Sequence, residues 1–116
     1  MTTSPIHIDP SQWVGAFADF AQQGMYWFDF LSVIDRGELS EVVARVVNTH
    51  SQESACVSTV VSGSIDSLTT IYPGAAWYER EANEMFGVTF IGLIDSRPLL
   101  FRNIPVTSPM RKAVTS

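Results

Sequence analysis

Residues 71–90 read Ile-Tyr-Pro-Gly-Ala-Ala-Trp-Tyr-Glu-Arg-Glu-Ala-Asn-Glu-Met-Phe-Gly-Val-Thr-Phe and set the architecture of the chain. Pro73-Gly74 interrupts the preceding segment, and Gly87 is placed as a helix C-terminal residue, so a helix is predicted over about residues 75–86. Its apolar stripe comprises Ala75, Tyr78, Ala82, Met85 and Phe86. Its opposite side carries Trp77, Arg80, Glu81 and Glu84. The pattern predicts one face packed on a sheet and one face outside it.

An earlier helix is predicted from its N-terminal signals. Asp9 is placed at the N-cap, Pro10 at the first helical position and Gln12 at the third, which is a capping-box pattern. An apolar stripe at helical spacing follows, and Gly24 is placed to end the helix.

Three runs rich in β-branched residues lie between the two helices, at residues 25–34, 39–48 and 53–62, and predict strands. Residues 35–38 are predicted as a turn, and residues 49–52 as a hairpin loop in which His50 is solvated. A short helix is expected after Ser64, with Ile65, Leu68 and Tyr72 on one face. Residues 88–91 are expected to add a last strand.

This element order predicts an α+β fold in residues 1–91. We expect a small antiparallel sheet of three to four strands with helices on one face, in a ferredoxin-like arrangement. Residues 92–116 contain Pro98, Pro105 and Pro109 and no sustained period, so they are predicted to be an extended C-terminal arm.

The composition limits the function. Charged residues make up 16% of the 116 residues, against about 25% in an average soluble domain. Either the core is unusually well packed or a partner covers part of the surface.

The sequence also excludes several classes of protein. It contains no apolar run of 18 residues that would predict a membrane span, and the N-terminal residues do not resemble a signal peptide. The lone Cys56 and two histidines predict no zinc or iron–sulfur site, and a net charge of −5 argues against nucleic acid as partner.

Charge is distributed unevenly along the chain. Residues 1–90 carry a net −8 and residues 91–116 a net +3. Two interpretations stay open: the basic arm folds back on its own acidic domain, or it lies on an acidic neighbour.

The polar helix is the densest group of charged side chains. Glu79, Glu81 and Glu84 could provide a general acid and base, but the four-residue spacing of Arg80 and Glu84 favours a local ion network. Trp77 beside these charges is typical of a protein-interface anchor. No phosphate-binding glycine loop or nucleophile elbow is present.

This segment resembles the signature of the thirty-kilodalton subunit of respiratory complex I, known in bacteria as the C subunit of NADH dehydrogenase, which has counterparts in membrane-bound energy-converting NiFe hydrogenases. The matching residues are Trp77, Glu79, Arg80, Glu81, Glu84, Phe86 and Gly87. Phe30 to Asp35 is similar to the family's first sheet strand. Later, Gly92, Asp95 and Arg97 match, whereas Leu93 and Pro98 replace the family's histidine and second arginine.

The resemblance implies a non-catalytic subunit of a peripheral arm. Its expected partners are the large NiFe-hydrogenase-like subunit, which helps form the quinone site in complex I, and the iron–sulfur subunit. Iron–sulfur clusters, and NiFe or quinone, would then belong to these partners, and none would be bound by this chain. The expected location is the cytoplasmic side of the membrane, or the equivalent matrix or stromal side.

The residues expected at the interface are Trp77, Glu79, Arg80, Glu81 and Glu84 on the helix, and Asp95, Arg97, Arg111 and Lys112 on the arm. No catalytic, cofactor-binding or metal-binding residue is expected. The compact length favours a small subunit of a hydrogenase-type complex, with the C subunit of the respiratory NADH:quinone oxidoreductase as the alternative. A stand-alone binding module, or a small enzyme using the three glutamates, is the alternative of another class.

Overall fold

The computed structural model describes residues 5–93. Its elements are β1 (Ile6–His7), a 3-10 turn (Pro10–Gln12), α1 (Trp13–Gln22), β2 (Trp27–Arg36), β3 (Leu39–Val47), β4 (Ser54–Val61), β5 (Ser64–Asp66), α2 (Ala75–Phe86) and β6 (Thr89–Ile91). The capping box of Asp9 and Gln12 is present at the 3-10 turn, which leads directly into α1.

The main sheet has four strands in the order β1-β4-β3-β2. β2, β3 and β4 pair antiparallel, and Leu31, Ala44 and Val57 lie side by side across them. Because side chains alternate along a strand, every second residue of each strand faces the core. These core-facing residues include Val33, Val42, Val46 and Val61, all buried.

Both helices contribute to the core on this face of the sheet. Trp13 and Phe17 of α1 are fully buried, with their rings edge-to-face at 4.9 Å. Ala75 and Ala82 of α2 are buried in the same cluster, and their small side chains allow the helix to approach the sheet closely. The predicted α+β class is therefore confirmed.

The structure differs from the sequence prediction at the strands. The sequence pattern does not predict β1, which pairs parallel to β4 at the sheet edge, so the main sheet is mixed. Ser64–Asp66 is a strand, so the prediction of a helix after Ser64 is wrong. β5 pairs parallel with β6 in a separate two-stranded sheet, whereas a ferredoxin-like arrangement would place the last strand in the main sheet.

The physical reason lies in burial. Ile65 and Phe90 face each other across the β5–β6 pair, and both are buried in the core. Residues 64–66 alternate exposed, buried and exposed, which is the two-residue period of a strand rather than the period of a helix. Three residues are too few for sequence periodicity to separate the two.

A β-bulge connects the sheet to α2. The register between β2 and β3 shifts between Phe28 and Phe30, which leaves Asp29 as the extra residue. The backbone carbonyl of Asp29 accepts a hydrogen bond of 3.0 Å from the hydroxyl of Tyr78 on α2. Its carboxylate forms an ion pair with Arg45 of β3. The bulge therefore supplies an acceptor that helps to fix the helix on the sheet.

Within residues 5–93, neither helix has the length and apolar character needed to cross a membrane.

Candidate protein-interaction site

The ends of α2 are set by local chemistry. The helix follows Pro73-Gly74, and it ends at Gly87, whose φ of +75° is in the left-handed region. The amide of Gly87 donates to the carbonyl of Asn83 at 2.9 Å, and the Asn83 side chain donates to the carbonyl of Val88. The first bond satisfies a carbonyl of the last helical turn, and the second connects that turn to the residue after Gly87. The predicted helix over residues 75–86 is confirmed at both ends.

The outward face of α2 carries a stripe that we call the anchor stripe: Trp77, Glu81, Glu84 and Met85. All four side chains are exposed, Trp77 by 41% and Met85 by 69%, whereas the neighbouring Arg80 is half-buried. Aromatic residues and methionine are enriched at protein interfaces, and charged groups such as the two carboxylates fit the polar rim of an interface. The structure thus brings three of the five predicted helix residues onto one exposed face.

Glu79 is on the opposite side of the helix and is buried, so the structure does not place it on the exposed face that carries Trp77, Glu81 and Glu84. Its carboxylate is fully buried. It accepts hydrogen bonds of 2.7 Å from the hydroxyl of Ser67 and 2.7 Å from the backbone amide of Leu68. Glu79 therefore connects α2 to the segment that follows β5, and its contribution is internal.

Burial and hydrogen bonding act on Glu79 in opposite directions. Burial raises the pKa of the Glu79 carboxyl, and the hydrogen bonds from Leu68 and Ser67 oppose part of that rise. The net direction is upward from the usual 4.5. The segment between β5 and α2 is also held by Tyr72, whose hydroxyl donates to the carbonyl of Met25 at 2.7 Å. Burial raises the pKa of Tyr72 to about 12.

The last turn of α2 departs from the predicted apolar stripe. Periodicity predicts Met85 and Phe86 in the core, but they are exposed by 69% and 43%. Ala75 and Ala82, one turn or more earlier, do pack in the core as predicted. Sequence periodicity places all of these residues on one stripe, and it contains no signal for where the sheet beneath the helix ends. Met85 and Phe86 therefore join the exposed surface, which sequence reasoning misses.

The three glutamates of α2 are not brought together. Glu79 faces the core and is already engaged by two donors, whereas Glu81 and Glu84 face outward. A general acid and base pair needs both carboxyls at one substrate position. The structure therefore separates Glu79 from the other two glutamates, and a site that uses all three is not formed.

A serine, a histidine and a glutamate do meet on the other face of the main sheet. Nδ1 of His7 contacts the hydroxyl of Ser58 and lies 3.8 Å from Oε2 of Glu41. In a catalytic triad the two ring nitrogens have separate partners, one the nucleophile and the other the acid. Here one nitrogen faces both groups, and Ser58 is fully buried. Glu41 is instead paired with Arg36, whose hydrogen bond lowers the pKa of Glu41.

The described residues contain no group of three or more histidine, cysteine, aspartate or glutamate side chains that could hold a metal ion. The predicted arm residues Asp95, Arg97, Arg111 and Lys112 lie outside the described residues.

Fold and site together define a class: a small α+β protein whose candidate site, within residues 5–93, is an exposed helix face. The family follows from comparison with known proteins. The chain belongs to the family described as respiratory-chain NADH dehydrogenase, 30 Kd subunit, whose family model matches residues 6–116.

Named relatives match less than half of the chain. It is 46% identical over 44 residues to the C subunit of NADH-quinone oxidoreductase from Sinorhizobium medicae, a match covering 38% of this chain and 22% of that protein. It is 50% identical over 46 residues to the C/D subunit of the same enzyme from Rhodopseudomonas palustris, covering 40% of this chain and 8% of the relative. The matches thus span less than a quarter of either relative.

Two solved structures share the fold. A trypsin-resistant fragment of Nqo5 aligns with a TM-score of 0.64 and 18% identity, covering 77% of this chain and 79% of that one. A chain of the membrane-bound sulfane sulfur reductase, an archaeal respiratory membrane complex, aligns with a TM-score of 0.73 and 17% identity, covering 97% and 69%.

Proposed function

We propose that this protein is a non-catalytic subunit of the peripheral arm of a membrane-bound, complex I-like redox complex. It packs against the large catalytic subunit and the iron–sulfur subunit, on the cytoplasmic or equivalent side of the membrane. In this role it supports electron transfer coupled to ion translocation without binding a cofactor itself. The observation that carries the proposal is the family match over residues 6–116, combined with the exposed Trp77 on the helix that holds the family signature.

Trp77 has the properties of an interface anchor. It is 41% exposed on a helix that is fixed to the sheet through Tyr78 and to the preceding segment through Glu79. A tryptophan on a rigid helix can be buried by a partner at little cost in conformational entropy. Glu81 and Glu84 beside it supply charges that restrict which partner surface is accepted.

The type of parent complex is the finer part of the proposal. We favour a hydrogenase-type or related energy-converting complex, which the fold shared with a chain of the sulfane sulfur reductase complex supports. The alternative is the C subunit of NADH:quinone oxidoreductase proper, supported by the named relatives. The sequence of the partner large subunit separates the two, because a NiFe centre needs two intact Cys-x-x-Cys pairs and a quinone-reacting subunit does not.

The test is purification of the complex through a tag on the full chain. We expect a large hydrogenase-like subunit and an iron–sulfur subunit to co-purify, with iron in the complex and none in the isolated chain. Trp77→Ala should weaken retention of these subunits about 30-fold, which corresponds to the roughly 2 kcal/mol of an interface anchor. Trp27→Ala is the matched control, because Trp27 is a tryptophan exposed by 56% on the edge strand β2 and is not a member of the anchor stripe.

Two results would overturn the proposal. Stoichiometric iron in the isolated chain would contradict a subunit that binds no cofactor. A well-behaved monomer or dimer in size-exclusion chromatography, with no subunit retained from cells, would favour a stand-alone binding module. Equal losses from Trp77→Ala and Trp27→Ala would leave the complex in place but would exclude Trp77 as its specific anchor.

A further inference from the structure

One end of the molecule has a cleft that shares only Met85 with the anchor stripe. Three segments meet there: the turn between β2 and β3, the link between β4 and β5, and the C-terminal end of α2. The cleft has a volume of about 340 Å³, and its lining includes Asp35, Glu38, Gly63, Met85 and Phe86. We call it the turn cleft.

The turn cleft has a negative potential from two sources. Two acidic residues, Asp35 and Glu38, line it, and Oδ1 of Asp35 also accepts a hydrogen bond of 2.9 Å from the amide of Gly37. The C-terminal end of α2 adds the negative end of the helix dipole, and the last turn of α2 has no basic residue to offset it. Arg36 lies between the two acids in sequence, but its guanidinium bonds Glu41 on β3, with 2.9 Å from Nε to Oε1.

Apolar surface lies directly beside these charges. Met85 and Phe86 line the cleft and are exposed by 69% and 43%. Leu39, the first residue of β3, adds a further exposed apolar side chain next to the turn. A cation alone would use only the acidic part of this surface. A peptide segment with a basic side chain followed by an apolar one would use both parts.

We propose that the turn cleft binds a basic segment of a partner subunit, in which an arginine or lysine contacts Asp35 and Glu38 while a neighbouring apolar side chain packs on Met85 and Phe86. Charge complementarity selects this occupant, because both the carboxylates and the helix end favour a cation. The inference rests on the proposed function, since it requires a partner chain. It identifies a second contact surface, which adjoins the anchor stripe at Met85, and the chemistry of the segment that fills it.

The first experiment replaces Phe86 with the photo-cross-linker p-benzoylphenylalanine in the full chain and irradiates the purified complex. Mass spectrometry should identify a cross-link to a partner subunit within a few residues of an arginine or lysine. A cross-link to the chain's own residues 94–116, to a second copy of the chain, or to a partner segment without a basic residue would overturn the inference.

The second experiment tests the charge directly. Glu38→Lys should lower retention of the cross-linked subunit at least tenfold. The matched control is Glu53→Lys, because Glu53 is exposed in the β3–β4 loop at the other end of the sheet, and its reversal should change retention less than twofold. Reversing the partner's basic residue to glutamate should restore binding of the Glu38→Lys variant.

The outcomes separate this inference from the proposed function. If the unaltered chain retains no subunits, both fail. If it retains them, and Glu38→Lys behaves like Glu53→Lys, only the turn-cleft inference fails.

Discussion

Glu79 offers the sharpest test of how α2 is held in place. Its carboxylate is fully buried and accepts two hydrogen bonds of 2.7 Å, from Ser67 and from the backbone of Leu68. Glu79→Ala removes both acceptors: it leaves the buried Leu68 amide without a partner, and it leaves the Ser67 hydroxyl with the Thr69 hydroxyl, 2.7 Å away. A hydrogen bond to a charged group contributes roughly 1.5–3 kcal/mol to stability. The free-energy cost of removing the carboxylate from water offsets part of this contribution. We expect Glu79→Ala to lower the free energy of unfolding by about 3–5 kcal/mol.

The assay is urea denaturation of the full chain, followed by circular dichroism and tryptophan fluorescence. Because small domains have stabilities of about 5–15 kcal/mol, Glu79→Ala can leave too little structure for a reliable transition. Glu79→Gln is the informative second variant. Its amide oxygen can still accept from Ser67, but its amide nitrogen then faces the Leu68 donor, so we expect a loss of about 1–3 kcal/mol. Glu81→Gln, exposed on the same helix, should change stability by less than about 0.5 kcal/mol.

Burial of Glu79 also makes the stability of the protein depend on pH. Burial raises the pKa of Glu79 above 4.5, so the folded state holds its proton to higher pH than the unfolded state does. The stability that this group contributes is therefore fully present below pH 4.5 and is lost as the pH rises through the folded pKa. The stability difference between the unaltered chain and Glu79→Gln should thus grow as the pH falls from 7 towards 4.5.

Two results would refute this account. A loss below about 1 kcal/mol for Glu79→Ala would show that the buried bonds do not hold the helix. A stability difference that shrinks as the pH falls would show that the hydrogen bonds outweigh burial and that the pKa of Glu79 is lowered. Arg36 lowers the pKa of Glu41, so the stability that Glu41 contributes is lost in acid. This loss is the same in the unaltered chain and in Glu79→Gln, so it cancels when the two are compared.

Three further predictions concern positions that fix the helix ends and the bulge. Tyr78→Phe removes the hydrogen bond to the Asp29 carbonyl, and thermal unfolding should show that the free energy of unfolding falls by about 1 kcal/mol. An unchanged free energy of unfolding would contradict the role of the bulge. Gly87→Ala adds a Cβ where φ is +75° with no atom in its way, so denaturant titration should show about 1–2 kcal/mol of strain alone. Gly24→Ala should lower the free energy of unfolding more than Gly87→Ala does in the same titration, because its Cβ would lie 2.9 Å from the Asn48 side chain. That side chain cannot easily move, since its Oδ1 already accepts hydrogen bonds from the amides of His50 and Ser51. Equal losses for the two variants would contradict this expectation.

The local signals in the sequence identify the elements that local chemistry controls. The capping box at Asp9 and Gln12, and the left-handed Gly87, depend on residues within a turn of each other. The long strands β3 and β4 have enough β-branched residues to be recognised from composition alone. The family signature in α2 is readable for the same reason, because it lies within one continuous segment.

The outward position of Trp77, and its neighbours Glu81 and Glu84, follows from helical periodicity. The inward position of Glu79 does not, because a carboxylate is normally placed on the solvent side of a helix. Only the segment after β5, which presents the Ser67 hydroxyl and the Leu68 amide to that side, makes burial of Glu79 acceptable. These donors are eleven and twelve residues away in sequence, beyond the reach of any pattern within the helix.

The sequence by itself thus determined the α+β class, the family and the helix that carries the candidate site. The tertiary structure alone decided that β5 and β6 form a second sheet, that Glu79 is internal, and that Met85 and Phe86 are exposed beside an acidic cleft. The physical reason is the range of the interactions. Capping and periodicity act within a few residues, whereas burial and strand pairing depend on contacts between segments that are distant in sequence.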